Sequence, residues 1–441
     1  MALGGGIWQT QNKVLPGSYI NFASVAKANA ALSERGIAAA PFVLSWGQEE
    51  TVIEVSAADF KRDSRKIFGY DNEAPEMLAF REIFRNAEKV YCYRLGSGTK
   101  AANTYATAKY AGTRGNSITI KIAADVDNSG YFKVSTYLGG VCVDEQTVNS
   151  VSTLKENDFV SFKSNFTLQA EAGSPLTGGA DCSAITGSHY QAFLNAIESY
   201  SFNALCCPVN PADANTKATV ALFVNFTKRM REEVGAKFQL CAIKPEADSE
   251  GVIGVWNTAA ASGIATDVLV YWVTGAQAAV AVNKSLTNSK YNGELSINTN
   301  YTQSALEAAI KAGKFMFHNV GGTVRVLEDI NTLVTLTEEK GEIFQSNQTV
   351  RVCDQIANDT AVLFNTRYLG AVPCDASGRA ALWNDVVKLI RQLEELRAVE
   401  NFDPETVTVY EGERKGSVLL NVEELNIANA MSRLYMSVII K

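Results

Sequence analysis

The sequence predicts a multi-domain chain of the α/β plus α+β class. A mostly parallel α/β core carries an inserted antiparallel β-rich domain, and a C-terminal α+β domain with extended terminal arms follows. In two stretches, continuous apolar strands alternate with amphipathic helices, which is typical of a parallel sheet covered on both faces. Between them the pattern becomes period-two alternation with turn residues at short intervals, which indicates antiparallel strands. Both chain ends are apolar and rich in strand-forming residues.

The length supports this division. A chain of 441 residues, 46% hydrophobic and 20% charged, exceeds what one hydrophobic core normally serves. We expect an extended N-terminal arm at residues 1–22, a discontinuous α/β domain at 23–98 and 188–330, a peripheral β-rich domain at 99–187, and a C-terminal domain at 331–441.

The first α/β stretch contains a strand at residues 42–47 that ends in glycine, and a helix that begins after Ser56. Pro75 opens a second helix because proline is favoured in a first helical turn. Residues 89–95 form the next strand. The order strand, helix, strand is that of an α/β unit.

The inserted stretch has alternating strands at residues 117–122 and 131–138, with turn residues at 127–130 and a Gly-Gly pair at 139–140. A hinge rich in glycine and proline, residues 173–181, ends it. Because its entry and exit are both marked by glycine, we expect a self-contained module on the outside of the molecule.

After the hinge, the apolar pattern predicts further α/β elements and then the C-terminal domain. The predicted elements are a helix at 190–197 capped by Ser188, a strand at 202–208, a helix at 216–234, strands at 238–243 and 268–273, a helix at 276–286, a helix at 380–399, and strands at 407–410 and 417–422.

Charge and hydropathy exclude two classes of partner. The net charge of −7 and the lack of a Lys/Arg run argue against nucleic acid. No segment reaches the ~20 apolar residues of a membrane helix, so we expect no membrane insertion. The N-terminus lacks a charged region ahead of an apolar core, which predicts a protein made and kept in the cytoplasm.

Residues with catalytic potential are sparse. The eight cysteines form no CxxC pair and lie mostly in apolar runs, which predicts structural thiols and no disulfide. His189 at a helix start and His318 before a turn favour capping or solvated roles. Adjacent carboxylates such as Glu49 and Glu50 favour a solvated face. We therefore expect no enzyme, no catalytic residue, no metal site and no cofactor.

The two chain ends carry the main functional prediction. An unpaired apolar strand either joins its own sheet or is added to a neighbour's sheet. Two such ends on one chain favour a polymer, although edge strands of an ordinary sheet remain the simpler alternative. The residues that we expect in strands between subunits are Ile7, Trp8, Val14, Leu15, Tyr19, Leu434, Tyr435, Met436, Val438, Ile439 and Ile440.

Local strings spread over nearly the whole chain resemble the contractile tail sheath proteins of bacteriophages, particularly those of defective-prophage type in Gram-positive hosts. Their order is more specific than any one of them. The strings are Gly-Gly-Gly-Ile-Trp at 4–8, Pro-Gly-Ser-Tyr-Ile-Asn-Phe at 16–22, residues 106–116, Leu-Thr-Gly-Gly at 176–179, residues 324–333, and the closing strands. The resemblance departs at residues 180–182, where the family pattern has a glycine after the aspartate.

The resemblance implies a structural subunit of a contractile tail sheath. Such subunits polymerise helically around an inner tail tube through exchanged terminal strands, and they contract to drive the tube through the host cell envelope. The implied partners are other copies of the chain, the inner tube protein, and baseplate and tail terminator proteins. The implied place is the virion tail, assembled in the bacterial cytoplasm.

An alternative from another class is a cytoplasmic α/β enzyme or small-molecule binding protein. It predicts a closed oligomer with a pocket at the carboxyl edge of the parallel sheet.

Overall fold

The computed structural model describes residues 32–257 and 266–440. The predicted arm at 1–22, with Ile7, Trp8, Val14, Leu15 and Tyr19, lies outside these residues. The helices in the described ranges are α1 Ala57–Phe68, α2 Leu78–Phe84, α3 Gly187–Ile197, α4 Ala214–Arg229, α5 Leu269–Ala279, α6 Gln303–Lys311, α7 Asn347–Leu363 and α8 Ala376–Glu395.

Strands occur in every part of the described chain. They are β1 Ile37–Phe42, β2 Val52–Ser56, β3 Lys89–Arg94, β4 Ala106–Ala108, β5 Ile118–Ala124, β6 Phe132–Leu138, β7 Val141–Val148, β8 Val160–Phe162, β9 Glu171–Pro175, β10 Ala204–Cys207, β11 Gln239–Ile243, β12 Val252–Val255, β13 Lys314–Phe315, β14 Phe317–Val320, β15 Thr323–Val326, β16 Val407–Glu411 and β17 Val418–Val422.

The largest sheet of the described residues has the order β13-β12-β11-β10-β1-β3-β2. Neighbouring strands pair in parallel except β2, which is antiparallel to β3. The chain leaves this sheet after β3 and returns at β10, on the other side of β1. The insertion therefore begins at the carboxyl edge, where the strand order reverses.

Successive residues of each buried strand face opposite layers of helices. Ala204 and Cys206 pack with α2 and α5, whereas Leu205 and Cys207 pack with α3 and α4. Both faces of the sheet are thus covered. The prediction of a multi-domain mixed α/β chain is confirmed.

One predicted strand is wrong. Residues 269–273 form the first turns of α5 after Val268 at its N-cap, and this helix ends at Ala279, well before the predicted end at residue 286. The run is apolar on every side because α5 is buried all round, so its periodicity does not distinguish strand from helix. Gly275 permits this burial: a Cβ there would lie 2.3 Å from the carbonyl oxygen of Ile83 in α2.

Two boundaries also differ from prediction. The first strand is β1, Ile37–Phe42, so the predicted strand at 42–47 begins where the observed one ends. Helix α3 is capped by Thr186, and Ser188 lies inside its first turn. The side chain of His189 takes the reciprocal position in that cap.

The inserted stretch contains a four-stranded antiparallel sheet, β7-β6-β5-β9, and a separate β4-β8 pair. Alternate residues of β5, Ile118, Ile120 and Ile122, point into its own hydrophobic core. Trp46 also belongs to this core, although it lies in the chain before the insertion. The inserted domain therefore rests on an aromatic side chain of the α/β domain.

The C-terminal part packs α7, α8 and the β16-β17 hairpin around one apolar cluster that includes Leu382, Val386 and Leu389 of α8. The sequence pattern predicted α8 and the hairpin strands but not α7. No helix among the described residues is long and apolar enough to cross a membrane.

Candidate assembly interface

The C-terminal segment does not form a strand of its own subunit. Residues 434–440 belong to no strand and lie on the surface. Their large apolar side chains are exposed, from 69% for Val438 to 90% for Ile440. The predicted strand residues Leu434, Tyr435, Met436, Val438, Ile439 and Ile440 therefore form an unpartnered apolar segment, which is the kind of surface that marks association sites.

The residues just before this segment are fixed to the N-terminal end of α7. The Gln348 amide donates to the Ala428 carbonyl at 3.1 Å and accepts from the Ala430 N–H at 2.9 Å. The Thr349 hydroxyl donates to the Asn429 side chain at 3.2 Å, and Arg433 pairs with Glu328 at 3.1 Å. We call residues 427–433 the C-terminal root. It borders a groove of about 700 Å³.

The start of the described chain is held on the same helix. The Ser33 N–H donates to Asp359 at 3.3 Å, and the Gln355 amide donates to the Ser33 hydroxyl at 2.7 Å. The Leu32 N–H donates to Gln392 of α8 at 3.2 Å. We call residues 32–35 the N-terminal root, because the predicted N-terminal arm precedes it.

The β16-β17 hairpin presents strand edges. Within the residues that the structure describes, the two strands pair only with each other, in register from Val407 with Val422 to Glu411 with Val418. Tyr410 is 55% exposed and Leu419 52% exposed. The Trp383 indole of α8 donates to the Val407 carbonyl at 2.8 Å and fixes the base of the hairpin. Such a hairpin can accept an added strand.

The enzyme alternative places a pocket at the carboxyl edge of the large sheet. Near β1 and β3 this edge is occupied by the parts of the insertion around residues 111–113 and 181, which we call the stem of the insertion. Asp181 accepts from the Ser45 hydroxyl at 3.0 Å and from the Thr113 hydroxyl at 2.7 Å. Glu49 accepts from the Ala111 N–H at 2.6 Å and lies 3.5 Å from Arg94. The prediction of a solvated face is therefore wrong for Glu49, which fastens the insertion to the sheet.

The two histidines lie in secondary structure, His189 in the N-terminal cap of α3 and His318 on a strand. His189 Nδ1 accepts from the Thr186 N–H at 3.1 Å, which confirms the capping role. Its Nε2 lies 3.8 Å from Cys182 Sγ. His318 lies on β14, where partial burial and then Arg325 lower its pKa. The described residues contain no group of three or more His, Cys, Asp or Glu side chains able to hold a metal ion.

Four of the cysteines, Cys92, Cys206, Cys207 and Cys241, are buried, and all eight are free thiols. Burial raises the pKa of Cys207 and Cys241 to about 12. A thiol that stays protonated is a poor nucleophile and a poor metal ligand. These groups act as small apolar side chains of the sheet.

Models of phage tail sheath proteins match four consecutive parts of the chain. They are the domain III N-terminal region of tail sheath protein Gp18 at 35–95, the sheath β-sandwich domain at 96–181, the sheath central domain at 183–332, and the sheath C-terminal domain at 339–441. The phage-like element PBSX protein XkdK of Bacillus subtilis is 31% identical, over 95% of this chain and 96% of that protein.

The chain belongs to the phage tail sheath protein family. It is a subunit of a contractile tail sheath, and the family is structural rather than enzymatic. The predicted absence of an enzymatic function is therefore correct, and the alternative of an α/β enzyme or small-molecule binding protein is not supported.

Solved sheath proteins share the fold of this sheath subunit. The sheath tail protein Lin1278 of Listeria innocua has a TM-score of 0.79 at 31% identity and covers 92% of this chain, with 94% of its own chain matched. The sheath tail protein of Desulfitobacterium hafniense has a TM-score of 0.77 at 34% identity, covering 90% and 93% of the two chains. The contracted helical sheath of the anti-feeding prophage shares the fold at 12% identity, with a TM-score of 0.55.

The residues that hold the two roots were not predicted from the sequence. Gln348, Thr349, Gln355 and Asp359 lie on α7, most of whose buried residues are polar. Apolar residues of α7 such as Val352 and Leu363 do pack in the C-terminal cluster, but the buried polar positions between them weaken the 3.6-residue signal. Ser346, whose side chain accepts from the Thr349 N–H, is the one start signal that could have revealed it.

Proposed function

We propose that the sheath subunit polymerises into a helical sheath around an inner tail tube by donating its two terminal segments to neighbouring subunits, and that contraction of this lattice drives the tube through the host cell envelope. The observation that carries the proposal is the exposed apolar segment 434–440 on a subunit that also presents open hairpin edges at β16 and β17. A donated strand and an accepting edge on one chain make a heterologous contact, which builds a helix when the rotation does not close.

The proposed partners are those that the family resemblance implies. Other copies of the chain would accept the segments, including Ile7, Trp8, Val14, Leu15 and Tyr19 from the N-terminal side. Baseplate and tail terminator proteins would meet the two ends of the sheath. The virion tail would be assembled in the host cytoplasm. The inserted domain at 99–187 would decorate the outside, and the 331–441 domain would form the sheath core.

Strand exchange suits a lattice that moves. Each ladder hydrogen bond contributes about 0.5–1.5 kcal/mol net, and each large buried apolar side chain about 1.5–3 kcal/mol. Ordering a free segment opposes this with roughly 1–2 kcal/mol per residue. A single arm therefore binds weakly, whereas many arms along a sheath act together. Subunits can rotate as rigid bodies while their arms keep them connected.

Removal of residues 434–441 tests the proposal. We expect the truncated subunit to keep the thermal unfolding midpoint of the unassembled protein, because these side chains contribute little to its own core. We expect negative-stain electron microscopy of concentrated protein to find tubes of the full chain and none of the truncated chain. Removal of residues 1–15 should abolish tubes in the same way.

Two point variants sharpen this test. Val438→Pro keeps an apolar side chain but removes a ladder N–H, so it should reduce tube formation. Val126→Asn, on the inserted domain, removes another exposed apolar side chain and should leave assembly unchanged. Normal tubes from the truncated subunit, or a much lower melting temperature of its unassembled form, would contradict the proposed exchange.

A further inference from the structure

Helix α7 contacts both roots. Gln348 and Thr349 in its first turn hold the C-terminal root, and Gln355 and Asp359 hold the N-terminal root. Gln348 and Asp359 are 11 positions apart on α7, which corresponds to about 16.5 Å at 1.5 Å per residue. Both roots therefore contact one continuous helix, and each also has a contact at or just after α8, Leu32 with Gln392 and Ala428 with the Ala398 carbonyl.

Between the two roots, buried polar contacts fasten α7 to the α/β domain. Arg351 pairs with Asp329 at 2.8 Å, and both side chains are almost fully buried. Arg231, just beyond α4, forms a two-pronged contact with Asp354 at 2.6 and 2.9 Å. The Asn358 amide donates to the Lys237 carbonyl at 2.7 Å and accepts from the Lys237 N–H at 3.0 Å.

These contacts specify one position of α7 more strictly than an apolar contact would. A buried ion pair contributes little net stability, but loss of one partner leaves an uncompensated charge in the interior. A forked guanidinium contact also depends on the angle between its planes, whereas apolar side chains tolerate sliding. The helix is thus held in register and rotation against the segment between α4 and β11, at Arg231 and Lys237, and against Asp329 after β15.

We infer that α7 is a rigid strut that joins the two arms of the sheath subunit and transmits tension from one neighbouring subunit to the other. The inference rests on the proposed strand exchange. Tension on the C-terminal arm reaches Gln348, passes along α7 to the contacts at Arg351, Asp354 and Asn358, and continues to Ser33. This route bypasses the β16-β17 hairpin, which stays free to hold the strands of neighbours.

Hydrogen exchange of the unassembled subunit tests the strut. We expect Arg231→Lys, which keeps the charge but loses the fork, to accelerate exchange about tenfold at one amide of each root, Ser33 and Ala430, because these amides donate to Asp359 and Gln348 of α7. Asn358→Ala should do the same with less risk to folding. The hairpin amides of residues 407–422 should not change, whereas general loosening of the C-terminal domain would accelerate them too.

Matched variants distinguish loss of the contacts that fix α7 from loss of the contacts between α7 and a single root. Gln348→Ala should accelerate exchange at the C-terminal root alone, and Asp359→Asn at the N-terminal root alone, because the helix itself stays fixed. Thr227→Val, which removes a buried hydroxyl that bonds only to the Phe223 carbonyl of its own helix, should leave both roots unchanged.

The inference is overturned if Asn358→Ala accelerates exchange at neither root, at one root only, or equally in the hairpin. These exchange results do not depend on polymerisation, so they stand even if the full chain forms no tubes. The full chain could instead form normal tubes while Arg231→Lys and Asn358→Ala leave the exchange rates at both roots unchanged. That result would refute the strut and leave the proposed function intact.

Discussion

Burial divides the cysteines of the sheath subunit into chemically different groups. Cys206 and Cys207 lie on opposite faces of β10 and are fully buried, whereas Cys142 is exposed on β7. Thiol reactivity requires both access and the thiolate form. The same residue type therefore serves as packing in the sheet and as a reactive group on the inserted domain.

We expect a thiol reagent to modify Cys142 first in the native subunit and to leave Cys92, Cys206, Cys207 and Cys241 unmodified. Mass spectrometry of labelled peptides identifies the sites, and Cys142→Ser should remove the fastest phase. Denatured, non-reduced protein should titrate to eight free thiols. Fewer than eight would reveal a disulfide and contradict the assignment.

Asp181 shows how one carboxylate fastens a domain. Partial burial acts to raise its pKa, but hydrogen bonds from Thr113 and Ser45 outweigh burial, and the net pKa is lowered. A lowered pKa in the folded state means that the carboxylate stabilises the fold above the unfolded pKa of about 3.9. That contribution is lost as the pH falls through the lower folded value.

Asp181→Asn should therefore destabilise the subunit by about 1 kcal/mol at pH 6, as expected for a partly exposed charged hydrogen bond. Urea unfolding at pH 6 and at pH 3 measures this difference for the two proteins. We expect it to shrink at pH 3, because this pH lies below the unfolded pKa of about 3.9, where the contribution of the charge starts to be lost. An equal difference at both pH values would mean that the charge of Asp181 does not stabilise the stem.

At the scale of elements, the inserted domain and the α/β domain share a joint instead of a flexible linker. Trp46 is fully buried with its ring centroid 5.4 Å from that of Tyr110 in the insertion. Its ring also packs on Gly69 at the end of α1, where a Cβ would lie 2.7 Å from the indole. The insertion folds around its own core, yet its removal uncovers an indole of the other domain.

We expect a deletion that joins Leu95 to Ser188 through a short Gly/Ser linker to aggregate while Trp46 is present, because the exposed indole creates an apolar patch. The same deletion with Trp46→Ser should stay soluble and monomeric. Size-exclusion chromatography distinguishes the two. Precipitation of both deletion variants would place the insertion in the core of the subunit. If both variants stay soluble, exposure of Trp46 does not cause aggregation.

At the scale of the whole molecule, the subunit combines an exposed apolar segment at 434–440, a hairpin with open edges among the described residues, and a helix that contacts both roots. The segment and the hairpin edges have no partner strand in the isolated subunit. In the proposed lattice their combined strength depends on the number of neighbours, because a second arm binds at the high effective concentration set by the first. The sheath subunit is therefore a component whose interactions are completed by copies of itself.

We expect subunits lacking residues 434–441 to shorten tubes when they are mixed with the full chain at a small fraction. They still accept an arm but donate none on the C-terminal side, so each incorporated copy interrupts the connection. Tube lengths measured by electron microscopy give the effect, with an equal amount of an unrelated protein as the control. Unchanged lengths would mean that this arm does not connect subunits.

Local patterns in the sequence predicted much of the fold. Strand β3, the buried strands β10 and β11, helix α8 and the antiparallel insertion all have clear signals, because their periodicity or continuous apolar runs reflect which faces they bury. The turn after His318 was also predicted, and Gly321 and Gly322 there have positive φ angles of 57° and 82°. Such angles favour glycine in a tight hairpin.

The sequence by itself also determined the family, and it singled out the C-terminal segment, because a run of apolar strand formers at a chain end is visible without any partner. Only the tertiary structure decided that residues 269–273 form a helix, that Glu49 and Trp46 join two domains, and that α7 holds both roots. The physical reason is the same in each case. These residues owe their roles to partners far away in the chain, such as Ala111 for Glu49 and Ser33 for Asp359, and distant pairing leaves no periodic signal in a local stretch of sequence.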